Sequence, residues 1–255
     1  MVAPSIVAKP GKVPLDQLLV ERGLAESLTL ARSLIMSGKV FSGEVRLDKP
    51  GQVHSPGMEI VLRSPDHPWV SRGGVKLARA LEEFSVDPKG CVCLDVGVST
   101  GGFTHVLLEQ GASKVYAVDV GRGQLAWELR SDPRVEVLER TNARHLTRDQ
   151  IPDALDVIVC DASFISLETI LPAPLSLAAP VAVLVALIKP QFEVGRDYVG
   201  KGGIVTDPAL HEEVCVRIST WLSELPGWTV LGLCDSPIKG AEGNKELLIA
   251  ARHES

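Results

Sequence analysis

The chain predicts an α/β fold, a doubly wound parallel sheet, preceded by a small α+β domain. Three observations carry this. Val92–Leu94 is a short run of β-formers closed by Asp95, Gly97, Gly101 and Gly102, and an apolar helical pattern follows (Phe103, Val106, Leu107, Leu108) until Gly111. A second strand, Lys114–Val118, closes on Asp119. Further apolar runs then recur at Val135–Leu138, Asp156–Cys160 and Val181–Ile188, separated by helical or loop sequence. Strand, glycine loop, helix, strand and acidic residue form the first unit of such a sheet, whose ligands sit beyond the carboxyl ends of the strands.

Taken in order, residues 1–12 read as a disordered lead-in and residues 13–63 as the small domain. A helical pattern starts at Val13, with Leu15, Leu18 and Leu19 on one face and Gly23 as its stop. A second helix is expected over Leu24–Ser37, on Ala25, Leu28, Ala31 and Ile35. Short strands follow at Lys39–Phe41, Val45 and Ile60–Leu62. Arg22, Arg32 and Lys39 are available for phosphates. Residues 1–63 hold 8 Lys/Arg against 6 Asp/Glu, net +2, while the remainder carries −8 of the total −6. That mild bias suits a phosphate-contacting module and is equally what chance would give.

Residues 64–70 are proline-rich and read as a linker, and residues 71–253 as the larger domain. It opens on SRGGVKL, where Arg72 and Lys76 precede and enter a helix. After Asp119 come a loop, a helix with Leu125 and Leu129, a strand, and Asn142 at that strand's carboxyl end. The next strand closes on Asp161, and ASFISL then begins a helix. Val181–Ile188 closes on Lys189-Pro190. The glycine-rich run 191–206 holds Phe192, Arg196 and Lys201, and an aromatic, basic loop over a site suits stacking on an unpaired base. Helix Pro208–Leu225 and strands Trp228–Cys234 and Glu246–Ala250 complete seven strands, with the last expected to run antiparallel.

The glycine loop reads D-V-G-V-S-T-G-G rather than the pyrophosphate pattern G-x-G-x-x-G. A carboxylate at Asp95 repels phosphate and suits a cationic or zwitterionic ligand; S-adenosylmethionine is both. The expected cofactor contacts are Asp95, Gly97, Ser99, Thr100, Gly101, Gly102 and Phe103, with Asp119 accepting from two ribose hydroxyls and Asn142 and Asp161 beside the adenosine. The bland alternative is a tight βα turn that needs only glycine's freedom in φ.

Other classes find little support. With 45% hydrophobic and 23% charged residues, the chain has the material for a globular core. The five cysteines show no CxxC spacing and read as buried free thiols in a reducing cytoplasm. No metal is expected. Met1–Pro14 lacks an apolar core long enough for a secretory signal. Leu171–Ile188 carries no charge, but Pro172, Pro174 and Pro180 interrupt it, so no membrane anchor is expected. GKGG at 200–203 lacks the frame of a phosphate loop.

Two lysines and two carboxylates remain. Asp161 and Lys189 fall just past strand ends, Glu246 starts the antiparallel last strand at the same sheet edge, and Lys76 enters from before the first strand. Scattered charges could equally be rim salt bridges.

The runs VSRGGVKL, LDVGVSTGGFT, VYAVDVGRGQLAWELRSDPRV, ASFISL, LIKPQFEVGRDYVGKGG and SPIKGAEGN resemble the TlyA family, also called haemolysin A. Its catalytic domain is similar to the FtsJ-type ribose methyltransferases. LARSLIMSGKV similarly resembles the small RNA-binding domain first known from ribosomal protein S-four. Departures are small: Val98, Ala162 and Leu247. The resemblance implies a Rossmann-like, class I methyltransferase that uses S-adenosylmethionine to methylate the ribose 2′-oxygen of a cytidine in ribosomal RNA, within a ribosomal subunit or free. It also implies a Lys-Asp-Lys-Glu tetrad at Lys76, Asp161, Lys189 and Glu246. Lys189 would take the hydroxyl proton while the two carboxylates hold the lysines in place.

Three rivals are weighed against this. A pseudouridine synthase can carry an S-four-type domain, and Arg46-Leu47-Asp48 echoes its motif, though inside the small domain. A membrane-lysing protein would need an amphipathic or spanning segment. A non-catalytic RNA-binding protein would not need the tetrad.

Overall fold

A computed structural model describes residues 11–43, 45–63, 67–240 and 243–254. The expected lead-in therefore falls outside the described residues up to Pro10, as does the linker at 64–66. The chain divides between Pro68 and Trp69 into two compact units.

In the first unit a two-residue strand β1 (Val13–Pro14) runs into α1 (Leu15–Glu21), and α2 spans Leu28–Met36. Strands β2 (Val40–Ser42), β3 (Val45–Arg46), β4 (Val53–His54) and β5 (Val61–Leu62) follow. β1 pairs antiparallel with β4, and β3-β2-β5 form a second small sheet. Leu15, Leu19, Ala25, Ala31, Ile35, Val40 and Leu47 close the core between helices and sheet. Two expectations are corrected here. Val13 is a strand residue, not the start of a helix. The second helix begins four residues later than its periodicity suggests, because Ser27 caps it, accepting from Leu30 N at 3.2 Å.

In the second unit α3 (Gly73–Glu83) precedes β6 (Val92–Val96), α4 (Gly102–Glu109), β7 (Lys114–Asp119), α5 (Trp127–Arg130) and β8 (Val135–Glu139). Then come β9 (Leu155–Cys160), α6 (Leu167–Ile170), α7 (Pro172–Leu175), β10 (Ala178–Ile188) and α8 (Pro190–Glu193). The chain ends on α9 (Pro208–Glu224), β11 (Trp228–Asp235) and β12 (Leu247–Glu254). The sheet order is β11-β12-β10-β9-β6-β7-β8, with β12 antiparallel to both its neighbours and β6 to β10 mutually parallel. This is the seven-stranded sheet with an antiparallel last strand that the sequence predicts.

Both faces of the sheet are covered, so its central strands are apolar on both sides. Leu94, Val96, Ile158 and Ile188 face α6, α7 and α9 through Leu167, Leu175, Val214, Ile218 and Leu222. Cys93, Val115, Val157 and Val159 face α3 and α4 through Leu77, Leu81, Phe103 and Leu107. β10 begins three residues earlier than its apolar run suggests. Pro180 lies in that early part, where the register with β9 shifts, as a residue without an N–H requires.

Trp69 and Val70, assigned by sequence to the linker, pack within the second unit. The Trp69 ring lies edge-on to His105 at 5.6 Å, and Val70 N donates to His105 Nδ1 at 3.1 Å. Among the described residues no helix is long and apolar enough to cross a membrane, and no group of three His, Cys, Asp or Glu could hold a metal ion. All five cysteines are free; Cys93 and Cys160 are buried and the other three half-buried.

Candidate active site

The loop after β6 turns sharply at the carboxyl edge. Gly97 takes φ +84°, and a Cβ there would lie 3.0 Å from the backbone of Ala162, so the loop runs directly against the segment that follows β9. Gly102, the first residue of α4, has Ser71 Oγ and Gly74 N where a side chain would begin, which lets the starts of α3 and α4 meet. Ser99 also lies at positive φ (46°), held by its N–H donating to Asp119 Oδ2 at 2.8 Å. Asp119 Oδ1 accepts from Gly121 N at 2.7 Å. The strand-end carboxylate thus shapes the two loops on either side of the crevice and keeps lone pairs for further donors.

Asp95 is wholly buried. Its Oδ2 accepts from Thr104 N (2.9 Å) and Thr104 Oγ1 (2.7 Å), while Oδ1 has no hydrogen-bond partner. Burial pushes its carboxyl up to about 7; Asp161 and Asp119 add to the rise, and the Thr104 bonds oppose it.

The four charged residues predicted from sequence meet. Lys189 Nζ lies 2.6 Å from Asp161 Oδ1, and Lys76 Nζ 3.8 Å from Asp161 Oδ2 and 2.6 Å from Glu246 Oε2. The result is a chain of alternating charge, Lys189–Asp161–Lys76–Glu246. Topology explains the meeting. Ile188 pairs with Leu247 in antiparallel register, so Lys189 and Glu246 leave the sheet side by side. Asp161 leaves the parallel neighbour β9, and α3 lays Lys76 across the same edge. Pro190 opens α8 and holds Lys189 extended (φ −114°, ψ 96°) at the strand end. Lys189 Nζ also donates to Asp161 O (3.1 Å) and to Ser163 Oγ (2.9 Å). Lys76, Lys189 and Glu246 are buried, and Asp161 is 21% exposed, opening the chain at its middle.

The remaining predicted residues divide. Gly101 and Thr100 complete the glycine loop, and Asn142 sits exposed beyond β8, its Oδ1 accepting from Arg144 N at 3.1 Å. Phe103 is only 3% exposed, and its ring packs in the core under α3 and α4. Arg196 and Lys201 are exposed, and Phe192 is half-buried. Arg72 is exposed at the head of α3. In the first unit Arg22 is exposed and hydrogen-bonded to the Pro56 carbonyl, and Lys39 is half-buried. Arg32 Nε donates to the buried Asp16 carboxylate at 2.8 Å, while the Arg32 side chain stays 60% exposed.

Two residues near the tetrad escape a reading by pattern. Ser163 touches Lys189, and Phe164 is 89% exposed at φ +66°, its ring 4.8 Å from that of Phe192. An exposed Phe held in a left-handed conformation is uncommon enough to point to a role. The signal in sequence is an aromatic three residues after a strand-end acid, before helical periodicity begins.

Fold and site together define a methyltransferase-type α/β domain joined to a small RNA-binding-type domain. Residues 69–253 match the model of the FtsJ-like methyltransferases, and residues 13–60 that of the S4 domain. The chain belongs to the FtsJ-like methyltransferase family, in the group that includes TlyA and hemolysin A. It is 48% identical to the 16S/23S rRNA (cytidine-2′-O)-methyltransferase TlyA of Mycobacterium tuberculosis, over 94% of this chain and 90% of that one. It is 39% identical to Hemolysin A of Brachyspira hyodysenteriae, over 92% and 97%. The solved structure of a candidate hemolysin from Streptococcus thermophilus aligns over 97% of this chain and 90% of that one, with a TM-score of 0.74 and 40% identity.

Proposed function

We propose that this chain transfers the methyl group of S-adenosylmethionine to the ribose 2′-oxygen of a cytidine in ribosomal RNA, in the cytoplasm. The observation that carries the reading is the chain Lys189–Asp161–Lys76–Glu246 set against the glycine loop at one sheet edge. Its relatives' activity supports the same reading.

The residues fit the methyl donor. Asp95 Oδ1 is a buried oxygen without a partner, as a cationic ligand would require. Gly97, Ser99, Thr100, Gly101 and Gly102 would line the donor, Asp119 would accept from its ribose diol, and Asn142 would border the adenine. The donor supplies an electrophilic methyl on a sulfonium.

The protein's task is to ready the sugar oxygen. A ribose hydroxyl is a very weak acid, so a base must take its proton as the new bond forms. Lys189 Nζ is held by its hydrogen bonds to Ser163 Oγ and the Asp161 carbonyl, with Asp161 Oδ1 2.6 Å away, and after giving up a proton it would offer its lone pair to the sugar hydroxyl. Asp161 orients Lys189 and stabilises the ammonium that results. Glu246 holds Lys76, which in turn fixes Asp161. The Phe164–Phe192 pair would receive the unstacked target base, Arg72, Arg196 and Lys201 would contact phosphates beside the site, and the S4 domain would dock the RNA through Arg22 and Lys39.

The test is transfer of labelled methyl from S-adenosylmethionine to ribosomal RNA, with 2′-O-methylated positions mapped in cells with and without the chain. A position that loses its methyl group with the chain supports the reading, and an unchanged map refutes it.

A further inference from the structure

A second ion pair joins the two connections that carry Asp161 and Lys189. Glu193, the last residue of α8, has a side chain only 2% exposed, and its Oε2 lies 3.0 Å from Arg217 Nη2 on α9. The same nitrogen donates to the Glu193 carbonyl at 3.0 Å, and Arg217 Nη1 donates to Glu168 in the first turn of α6. The other carboxylate oxygen, Oε1, accepts from Leu167 N at 2.8 Å, and Ser166 also bonds the carboxylate. Leu167 opens α6, which follows Asp161 through Ser163 and Phe164. Glu193 closes α8, which follows Lys189 through Phe192. One carboxylate therefore reaches across from the β10–α8 connection to the β9–α6 connection, and one guanidinium holds both.

A carboxylate so buried is costly unless paired, and burial indeed raises the Glu193 carboxyl above its ordinary value. Simple packing would be better served there by an apolar residue. Two pairs of groups depend on the alignment of these connections: Lys189 with Asp161 and Ser163, and Phe164 with Phe192.

We propose that Glu193 and Arg217 are positioning residues for methyl transfer, clamping the β9–α6 connection to the β10–α8 connection so that both pairs stay in register. The inference rests on the methyltransferase reading above. Neither side chain touches the reacting atoms.

The experiment uses the full chain with labelled S-adenosylmethionine and ribosomal RNA. In Glu193→Gln and Arg217→Met, kcat is expected to fall at least tenfold while the Kd for the donor stays within twofold. Arg217→Lys, which keeps the charge, is expected to retain at least a third of kcat. Unchanged kcat in both variants overturns the clamp, as does a loss of donor binding in parallel with kcat, which marks a merely structural role. If Arg217→Met does not fold, Glu193→Gln and Arg217→Lys decide on the same criteria. If the wild-type chain transfers no methyl group, the parent reading fails instead, and hydrogen exchange then tests the clamp. Faster exchange in both 163–170 and 190–195 of Glu193→Gln supports it, and unchanged exchange overturns it.

Discussion

Lys76 and Glu246, 170 residues apart in sequence, place Nζ and Oε2 2.6 Å apart, and both side chains are buried. Their pairing ties α3, which precedes the sheet, to β12, which completes it. Removing one partner leaves the other as a buried charge, a loss on the order of 3–5 kcal/mol. Glu246→Ala should therefore lower the unfolding midpoint by roughly 10 °C, measured by calorimetry. The double variant Lys76→Met/Glu246→Leu should recover most of that loss while remaining inactive. A Glu246→Ala midpoint within 2 °C or so of wild type would mean that solvent reaches the pair.

Lys189 has a different part to play, since it meets both Asp161 and Ser163 at the mouth of the site. Lys189→Ala should reduce methyl transfer by about 10²–10⁴-fold, the usual worth of a general base. Lys189→Arg should do the same, because a guanidinium keeps its proton. The donor should still bind to both variants, as read by calorimetric titration. Full activity in either would assign the proton to another group.

The buried Asp95 makes donor binding depend on pH. Its carboxyl is pushed up to about 7, chiefly by burial, from 3.8. The folded chain therefore keeps a proton that the unfolded chain has released across that window. Stability falls with rising pH between those values and levels off above the higher one. Donor binding runs the other way, because a cationic ligand favours the ionised form. Its Kd should tighten by about tenfold per pH unit up to about 7 and then flatten. Asp95→Asn should abolish the slope; titrations at pH 6, 7 and 8 distinguish the two cases.

Much of this site is legible in sequence because each part is a local pattern at a strand end. Asp95, Asp119, Asp161 and Lys189 all close apolar runs, and strands of one parallel sheet present their carboxyl ends to one edge. Glu246 joins them only through the antiparallel direction of β12. What local pattern does not carry is pairing across distance. The β1–β4 ladder is two residues long, and Val13 reads as helix because α1 begins two residues later. The contact of Arg32 Nε with Asp16 likewise depends on α1 bringing that carboxylate beside it. Phe103 falls inside a loop motif, yet its position at the start of α4 turns its ring into the core. The same limit hides the Glu193–Arg217 contact, which spans two helices.

Phosphate docking by the S4 domain should show in the response to salt. Exposed Arg22, half-buried Lys39 and the further exposed cations of this unit lie on an otherwise acidic chain. Affinity for ribosomal RNA should fall steeply between low and physiological salt, with a log–log slope that diminishes by about one for each docking cation removed. A flat response in a filter-binding assay would place recognition elsewhere.

Phe164 allows the sharpest separation of substrate binding from chemistry. Its ring is exposed, held at positive φ directly after Ser163, and steadied by Phe192. Keeping an apolar ring in water has no benefit to the folded chain alone, so Phe164→Ala should leave the unfolding midpoint unchanged or raise it slightly. Stacking of a base on an aromatic side chain is worth about 1–3 kcal/mol, or roughly 5–150-fold in affinity. The variant should show that loss in KM for RNA and a further drop in kcat, because a base that is not held outside its stack leaves the 2′-hydroxyl away from Lys189. Donor affinity should not change. Phe164→Trp should retain binding, since a larger face still stacks, whereas Phe164→Leu, equally apolar but without a ring, should behave like Ala. If Leu proves as good as Phe, the contact is hydrophobic packing rather than stacking, and the target nucleotide is held by its sugar and phosphates.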